Sequence, residues 1–142
     1  MSHKIKIGIF DSGLGGLTVL KSISAQFRDQ VSFVYVGDLA HLPYGDKSRH
    51  SIIKYSESIC KFLITQKVDI IVIACNSASS VAGKHLIKKF SNETIIDTIK
   101  PSTINVMHHI ESQKKDDLKS KFKYHLGIIG TEATINSNAY KN

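Results

Sequence analysis

Residues 68–80 read VDIIVIACNSASS, and this stretch decides the fold. Its aliphatic run at 69–74 predicts a short strand that is buried on both faces, as in a parallel sheet. Cys75 ends the run, and small polar residues that favour a helix N-terminus follow it directly. A helix N-terminus offers free N–H groups and a positive dipole, which favour a thiolate. Because ligands bind at this edge of open α/β sheets, Cys75 is a candidate reactive thiol.

The rest of the chain repeats the same order of strand and helix. Strands are predicted at 4–10, 32–37, 69–74, 94–96 and 125–130, and helices at 16–27, from Ser48, at 77–90, at 101–110 and from 131. This alternation predicts an α/β fold with a mainly parallel sheet flanked by helices. We place a first α/β domain at 1–98. Residues 99–142 then supply a connecting helix, a charged linker at 113–123 and the start of an incomplete second α/β domain.

Composition and charge limit the kinds of molecule that the protein is expected to bind. The 142 residues are 42% hydrophobic, which suffices for one core, and the apolar run at 70–75 is too short to span a bilayer. No secretory signal is visible, so we expect a cytoplasmic protein. The net charge is +7, but the densest basic run, 114–121, interleaves acids and carries no aromatic residues. We therefore expect neither a nucleic-acid nor a membrane partner.

A glycine-rich turn, DSGLGGLT at 11–18, follows the first predicted strand. Glycines there would let backbone N–H groups approach an anionic ligand. The third glycine of a dinucleotide-binding loop is missing, because Thr18 stands in its place, and the Gly-Lys-Ser/Thr ending of a Walker loop is absent. A turn that only packs strand against helix remains the alternative.

The second loop and Cys75 suggest a small polar pocket. Tyr44 lies between a proline and a glycine, which would hold its phenol on a stiff turn, whereas His41 is expected to be an exposed loop residue. A cysteine phosphatase would need an arginine where Val81 stands, and His85 is too far along its helix to activate Cys75 as in a protease. Two distant cysteines without paired histidines also argue against a metal. What remains is a thiolate that acts as acid or base on a small substrate, or else a buried, inert cysteine.

Taken together, the loops resemble those of the glutamate racemases, in the aspartate/glutamate racemase family. The matching segments are FDSGLGGLTV at 10–19, YVGD at 35–38 with PYG at 43–45, ACNSAS at 74–79 and IGTEAT at 129–134. They cover nearly the whole chain in the right order. One departure is Ser77, where the family usually carries threonine, but the hydroxyl is retained.

The resemblance implies racemisation of L- and D-glutamate without cofactor or metal, by two thiols on opposite faces of the substrate, and so a supply of D-glutamate for peptidoglycan. It makes Cys75 one of the two acid/base residues. It makes Asp11 and Ser12 ligands of the amino group, places Tyr44 and Gly45 at the side-chain carboxylate, and gives further polar contacts to Asn76 and Ser77. Glutamate is then the expected small-molecule partner. A homodimer is compatible with the sequence, which does not fix the oligomeric state.

The second thiol of the family belongs to a Gly-Cys-Thr-His motif that this sequence lacks. Cys60 lies in a helical pattern away from the loops and is expected to be a core residue. The chain thus looks like the N-terminal part of a racemase, with impaired activity. Aspartate racemase and a non-catalytic remnant that binds an acidic amino acid remain as alternatives.

Overall fold

The protein is described by a computed structural model over residues 4–114 and 124–141. The strands are β1 (Ile5–Asp11), β2 (Val31–Gly37), β3 (Ile70–Ile73) and β4 (Thr94–Ile96). The helices are α1 (Leu17–Phe27), α2 (Arg49–Thr65), α3 (Asn76–Lys89), α4 (Ile99–Lys114) and α5 (Glu132–Asn136). Single 3₁₀ turns at Arg28–Gln30 and Tyr44–Asp46 complete the described elements.

The four strands form one parallel sheet in the order β2-β1-β3-β4. The pairing of β1 with β2 aligns Asp11 with Gly37, and its pairing with β3 aligns Phe10 with Ile73. All three strands therefore end at one edge of the sheet. The predicted α/β class with a parallel sheet is confirmed.

Helices cover both faces of the sheet, because side chains alternate along β1. Ile7 and Ile9 pack with Val72 in a buried cluster that α1 covers. Phe10 points to the other face and joins a larger cluster with residues of β3, α2 and α3. Gly8 lies on that second face too, where an added Cβ would be 3.0 Å from Leu63 of α2. The apolar run of β3 thus reflects burial on both faces.

Local capping fixes where several helices begin. Ser48 caps α2 as predicted, and its hydroxyl accepts the Ser51 N–H at 3.1 Å. Thr131 caps α5 in the same way, accepting from Thr134 N–H at 3.3 Å. No helix in the described ranges combines the length and apolar character that crossing a bilayer requires.

Two predicted elements near the C-terminal end differ in the structure. The strand predicted at 125–130 is wrong: residues 124–130 have no regular secondary structure, and no backbone hydrogen bond within the described ranges involves them. A strand needs a neighbour to pair with, and none of the described strands lies beside this segment. The final helix is short, because the chain turns after Asn136 and Asn138 takes a positive φ of 54°.

The other calls on this part of the chain have different outcomes. Most of the predicted linker, 115–123, lies outside the described residues, while Gln113 and Lys114 belong to α4. Apolar residues after the linker are exposed, most clearly Ile129, which is 100% exposed. The division into domains at residue 98 stays a prediction.

Gly37 provides a test of how tightly the strand ends are packed. An alanine Cβ there would lie 2.5 Å from the backbone oxygen of Gly13, so the glycine-rich turn would have to move. We expect Gly37→Ala to lower the free energy of unfolding by about 1–3 kcal/mol. Gly127→Ala is the matched control, since nothing lies within 4 Å of its added Cβ. Urea denaturation measures both, and equal stability of the two variants would show that the turn is loosely packed.

Candidate active site

The candidate site lies at the carboxyl ends of β1, β2 and β3. Backbone hydrogen bonds continue beyond the strands: Asp38 N–H donates to Asp11 C=O at 3.0 Å, and Ala74 N–H donates to Phe10 C=O at 2.8 Å. The three loops that start with Ser12, Asp38 and Cys75 are thereby held side by side. Ligands bind at such edges in open α/β sheets.

Cys75 caps α3 through its sulfur. Its Sγ accepts the Ala78 N–H at 3.4 Å, and the thiol donates to Ser12 Oγ at 3.5 Å. The predicted position between a strand end and a helix N-terminus is therefore confirmed. The residue is only 5% exposed and borders the larger core cluster. The sulfur thus has apolar packing on one side and a hydroxyl and a helix N-terminus on the other.

Asp11 organises the glycine-rich turn. Its Oδ2 accepts the N–H groups of Gly13 and Gly16, each at 3.1 Å. These two amides are occupied by a carboxylate of the chain itself, so the expected approach of backbone N–H groups to an external anion does not apply to them. Gly16 is required, because a Cβ there would lie 2.7 Å from the Asp11 Cβ and 2.9 Å from the Ala74 Cβ.

Tyr35 supports the same turn from β2. Its hydroxyl donates to the Gly13 C=O at 3.0 Å. Burial raises the pKa of this phenol, and negative charge on Asp11 and Cys75 raises the pKa further. Tyr35 therefore stays protonated and remains a hydrogen-bond donor to the Gly13 carbonyl. Sequence analysis assigned it no role, since only the β1–β2 register brings it to Gly13.

Tyr44 does not present its phenol to an open pocket, contrary to prediction. The side chain is 1% exposed, and its hydroxyl donates to Asp38 Oδ2 at 2.7 Å. Burial and the Asp38 carboxylate, first as hydrogen-bond acceptor and then as charge, raise the phenol pKa far above its ordinary value. Asp38 also contacts His41 Nδ1 at 2.8 Å, and the His41 ring stacks on Tyr55 at 3.9 Å. A binding role for Tyr44 and Gly45 stays a prediction.

The start of α3 is tied to the C-terminal end of the chain. Asn76 Oδ1 accepts the Tyr140 hydroxyl at 2.9 Å, and Ser77 Oγ lies 2.8 Å from Thr131 Oγ1. Gly45 also meets Thr131, because an added Cβ would lie 2.8 Å from the threonine Cβ. Three residues given binding roles by resemblance thus contact residues 131–140 directly. Sequence analysis missed Tyr140 because nothing local marks it as a partner of Asn76.

A cleft of about 310 Å³ flanks this region between the Tyr44–Asp46 turn and α5. Gly45, Ser48, Arg49, Glu132 and Asn136 are among its lining residues, whereas Asp11, Ser12 and Cys75 are not. The cleft is therefore adjacent to the sheet edge but does not contain the thiol. The candidate reactive thiol therefore lies at the sheet edge, outside this cleft.

Cys60 is a core residue, as predicted. It is fully buried in α2, and burial together with the nearby negative charge of Glu57 raises the pKa of its thiol to about 12. Both cysteines are free thiols. Among residues 4–114 and 124–141, no group of three or more His, Cys, Asp or Glu side chains could hold a metal ion.

The fold and the edge define a parallel α/β protein whose polar, thiol-bearing site is assembled from three strand–helix loops. Comparison with known proteins then shows which proteins this chain resembles. The chain is 47% identical over 137 residues to the glutamate racemase of Hydrogenobaculum sp. (strain Y04AAS1), which covers 96% of this chain and 48% of that protein. Over this shared region the chain is a homologue of the glutamate racemases.

Solved structures show the same similarity. Glutamate racemase from Aquifex pyrophilus matches with a TM-score of 0.77 and 45% identity over 96% of this chain and 49% of that one. Glutamate racemase from Francisella tularensis, in complex with D-glutamate, matches with a TM-score of 0.79 and 37% identity, covering 97% of this chain and 47% of that chain. No model of a protein family matches. The chain spans about half the length of the racemases that it resembles.

The bond from Tyr44 to Asp38 gives a testable consequence. We expect Tyr44→Phe to lower the free energy of unfolding by about 1–3 kcal/mol, because the half-buried Asp38 carboxylate loses a donor. Tyr124→Phe is the control, since Tyr124 is exposed and makes no hydrogen bond within the described ranges. Chemical denaturation near neutral pH compares the two. A Tyr44→Phe protein as stable as the control would mean that this bond contributes nothing.

Proposed function

We propose that this chain forms one half of a cofactor-independent glutamate racemase site, in which the Cys75 thiolate removes or returns the α-proton of glutamate. The D-glutamate so formed would supply peptidoglycan synthesis. The proposal takes its reaction from the racemases to which the chain is similar and its residue roles from the sheet edge. The substrate would be a small amino acid, as in the Francisella tularensis complex with D-glutamate.

One observation carries the proposal: the Cys75 sulfur lies between the first amides of α3 and the Ser12 hydroxyl. The Ala78 N–H and the helix dipole would stabilise negative charge on the sulfur, and the Ser12 hydroxyl, which accepts from the thiol in the structure, would turn and donate to the sulfur once the proton has left. A thiolate there has the basicity for general base catalysis and can return the proton as a thiol. Its burial excludes water, which strengthens its interaction with the reacting carbon.

The polar residues around the sulfur supply the binding groups. Ser12 contacts the thiol and, beside Asp11, would meet the amino group of the substrate. Asn76 and Ser77 carry polar atoms on the first turn of α3, next to Cys75. Gly45 would offer its backbone to the side-chain carboxylate. The substrate-binding set proposed is Asp11, Ser12, Tyr44, Gly45, Asn76 and Ser77.

Inversion of a stereocentre needs a second acid on the opposite face of the substrate. Cys60 does not fit this role, because it is fully buried in α2 and its raised pKa keeps it protonated. The 142 residues therefore supply one acid/base thiol for the reaction. We propose that by themselves they exchange the α-hydrogen of one enantiomer with solvent and retain its configuration.

Two other functions remain as candidates. Aspartate would be the substrate if the binding groups meet a carboxylate one methylene closer to the α-carbon. A binding protein without catalysis is favoured by one observation, the 5% exposure of Cys75, which limits access to the sulfur. The amino acid whose α-hydrogen exchanges with solvent distinguishes a glutamate from an aspartate racemase. Binding without exchange indicates a non-catalytic binding protein.

Deuterium exchange provides the test. The chain is incubated in D₂O with D- or L-glutamate, and α-deuterium is followed by NMR while chiral chromatography follows configuration. We expect deuterium in one enantiomer, with no interconversion, because a single thiol can act on only one face. Cys75→Ala should abolish exchange, and Cys60→Ala should leave it unchanged.

Three results would contradict the proposal. Interconversion of the enantiomers by this chain alone would refute the single-thiol account. Exchange that survives in Cys75→Ala would remove the thiol from the reaction. Calorimetric binding of glutamate without exchange would establish the non-catalytic alternative, and exchange of aspartate in place of glutamate would change the substrate.

A further inference from the structure

Asn76 is approached by hydroxyl groups from two distant parts of the chain. It is the first residue of α3, directly after Cys75, and it is half-buried. Its Oδ1 accepts the Tyr140 hydroxyl at 2.9 Å and lies 3.4 Å from Thr98 Oγ1. Both hydroxyls contact the oxygen of the carboxamide, and its Nδ2 has no hydrogen-bond partner among residues 4–114 and 124–141.

The two hydroxyl contacts of Asn76 are not equal. Thr98 Oγ1 also lies 3.0 Å from Ser79 Oγ, and the Ser79 hydroxyl itself donates to the Ile73 C=O at 3.0 Å. The Ser79 hydrogen is thus committed to a carbonyl, so Thr98 supplies the hydrogen for the bond between the two hydroxyls. A hydroxyl has one hydrogen to give, and the contact of Thr98 with Ser79 is the shorter one. Tyr140 is therefore the principal donor to Asn76.

The bond from Tyr140 decides which end of the Asn76 carboxamide is left for a ligand. A carboxamide carries an acceptor oxygen and a donor NH₂ group, and rotation of the side chain exchanges their positions. Because the oxygen is bound by the Tyr140 phenol, the NH₂ group points away from the phenol. Asn76 directly follows Cys75, so these N–H donors lie close to the candidate thiol. An ionised carboxylate only accepts hydrogen bonds, so it is the group that such donors suit.

We propose that Tyr140 is a positioning residue: its hydroxyl holds the Asn76 carboxamide by the oxygen, so that the NH₂ group of Asn76 is presented as a donor to a carboxylate of the amino-acid substrate. Tyr140 acts across 64 positions of the chain. Without its hydroxyl, the carboxamide can turn and present an acceptor oxygen, which repels a carboxylate. The identity of the ligand rests on the proposed function, whereas the orientation of Asn76 does not depend on catalysis.

NMR of the isotope-labelled chain tests the orientation of Asn76. Its side-chain NH₂ signals are assigned by their loss in Asn76→Asp. We expect both NH₂ protons to exchange with solvent in the free chain, and to become slower in exchange when D-glutamate binds. Tyr140→Phe removes only the hydroxyl and keeps the ring, so it should move the NH₂ signals through the lost hydrogen bond. Tyr124→Phe is the matched control, because Tyr124 is exposed and should leave these signals in place.

Calorimetry with D-glutamate tests the consequence for binding. Tyr140→Phe should raise the Kd about threefold to tenfold, as expected for one hydrogen bond, and Tyr124→Phe should not change it. Asn76→Asp keeps an oxygen for Tyr140 but loses the donors, and should raise the Kd at least about tenfold. An aspartate on the first turn favours a helix, and circular dichroism checks that each variant folds. Adding Tyr140→Phe to Asn76→Asp should cause no further loss, because no NH₂ group remains to be positioned.

Three results would overturn the proposal. One is an Asn76 NH₂ proton that is protected in the unchanged free chain and loses its protection in Tyr140→Phe, because the carboxamide would then face Tyr140 with its nitrogen. The second is NH₂ signals that Tyr140→Phe moves no more than Tyr124→Phe does. The third is an equal Kd of these two variants for D-glutamate. If the unchanged chain does not bind D-glutamate, that result counts against the proposed function, and the NH₂ signals alone decide the role of Tyr140.

Discussion

Parallel pairing of β1 with both β2 and β3 is the constraint on which the rest of the structure depends. It aligns Asp11 with Gly37 and Phe10 with Ile73, so three strands end together. Each strand then leads into a loop, and the close approach of Gly37 to the Gly13 carbonyl shows how little room the loops have. Cys75 lies at this edge, where its sulfur both starts α3 and faces Ser12. The Cys75 sulfur thus both caps a helix of the fold and is the candidate reactive atom.

Elements determined by short-range patterns could be predicted from the sequence. The aliphatic run before Cys75 indicated a doubly covered strand, and β3 at Ile70–Ile73 is one. Ser48 caps α2 by accepting a hydrogen bond from the N–H of Ser51, three positions later. Such a local cap can be recognised in the sequence itself. The position of Cys75 at a helix N-terminus followed from the same local logic. In each case the interaction that decides the structure lies within a few residues of the sequence pattern that predicts it.

Interactions that depend on how a loop folds, or that join distant parts of the chain, could not be predicted. The Tyr44 phenol was expected in a pocket, but a carboxylate six residues away in a folded loop holds it in the interior. The contacts of Asn76 with Tyr140 and of Ser77 with Thr131 join residues more than fifty positions apart. The segment at 125–130 has the pattern of a strand, but none of the strands that the structure describes lies beside it. A strand depends on its neighbour as much as on its own sequence.

The most direct measurement of the central claim is the rate at which iodoacetamide modifies each cysteine of the native chain, with and without D-glutamate, followed by peptide mass spectrometry. The account predicts modification of Cys75 and a slower reaction when D-glutamate is bound, while Cys60 stays unmodified because it is fully buried and its thiol pKa is raised to about 12. Modification of Cys60 as fast as Cys75, or a Cys75 rate that D-glutamate leaves unchanged, would contradict it.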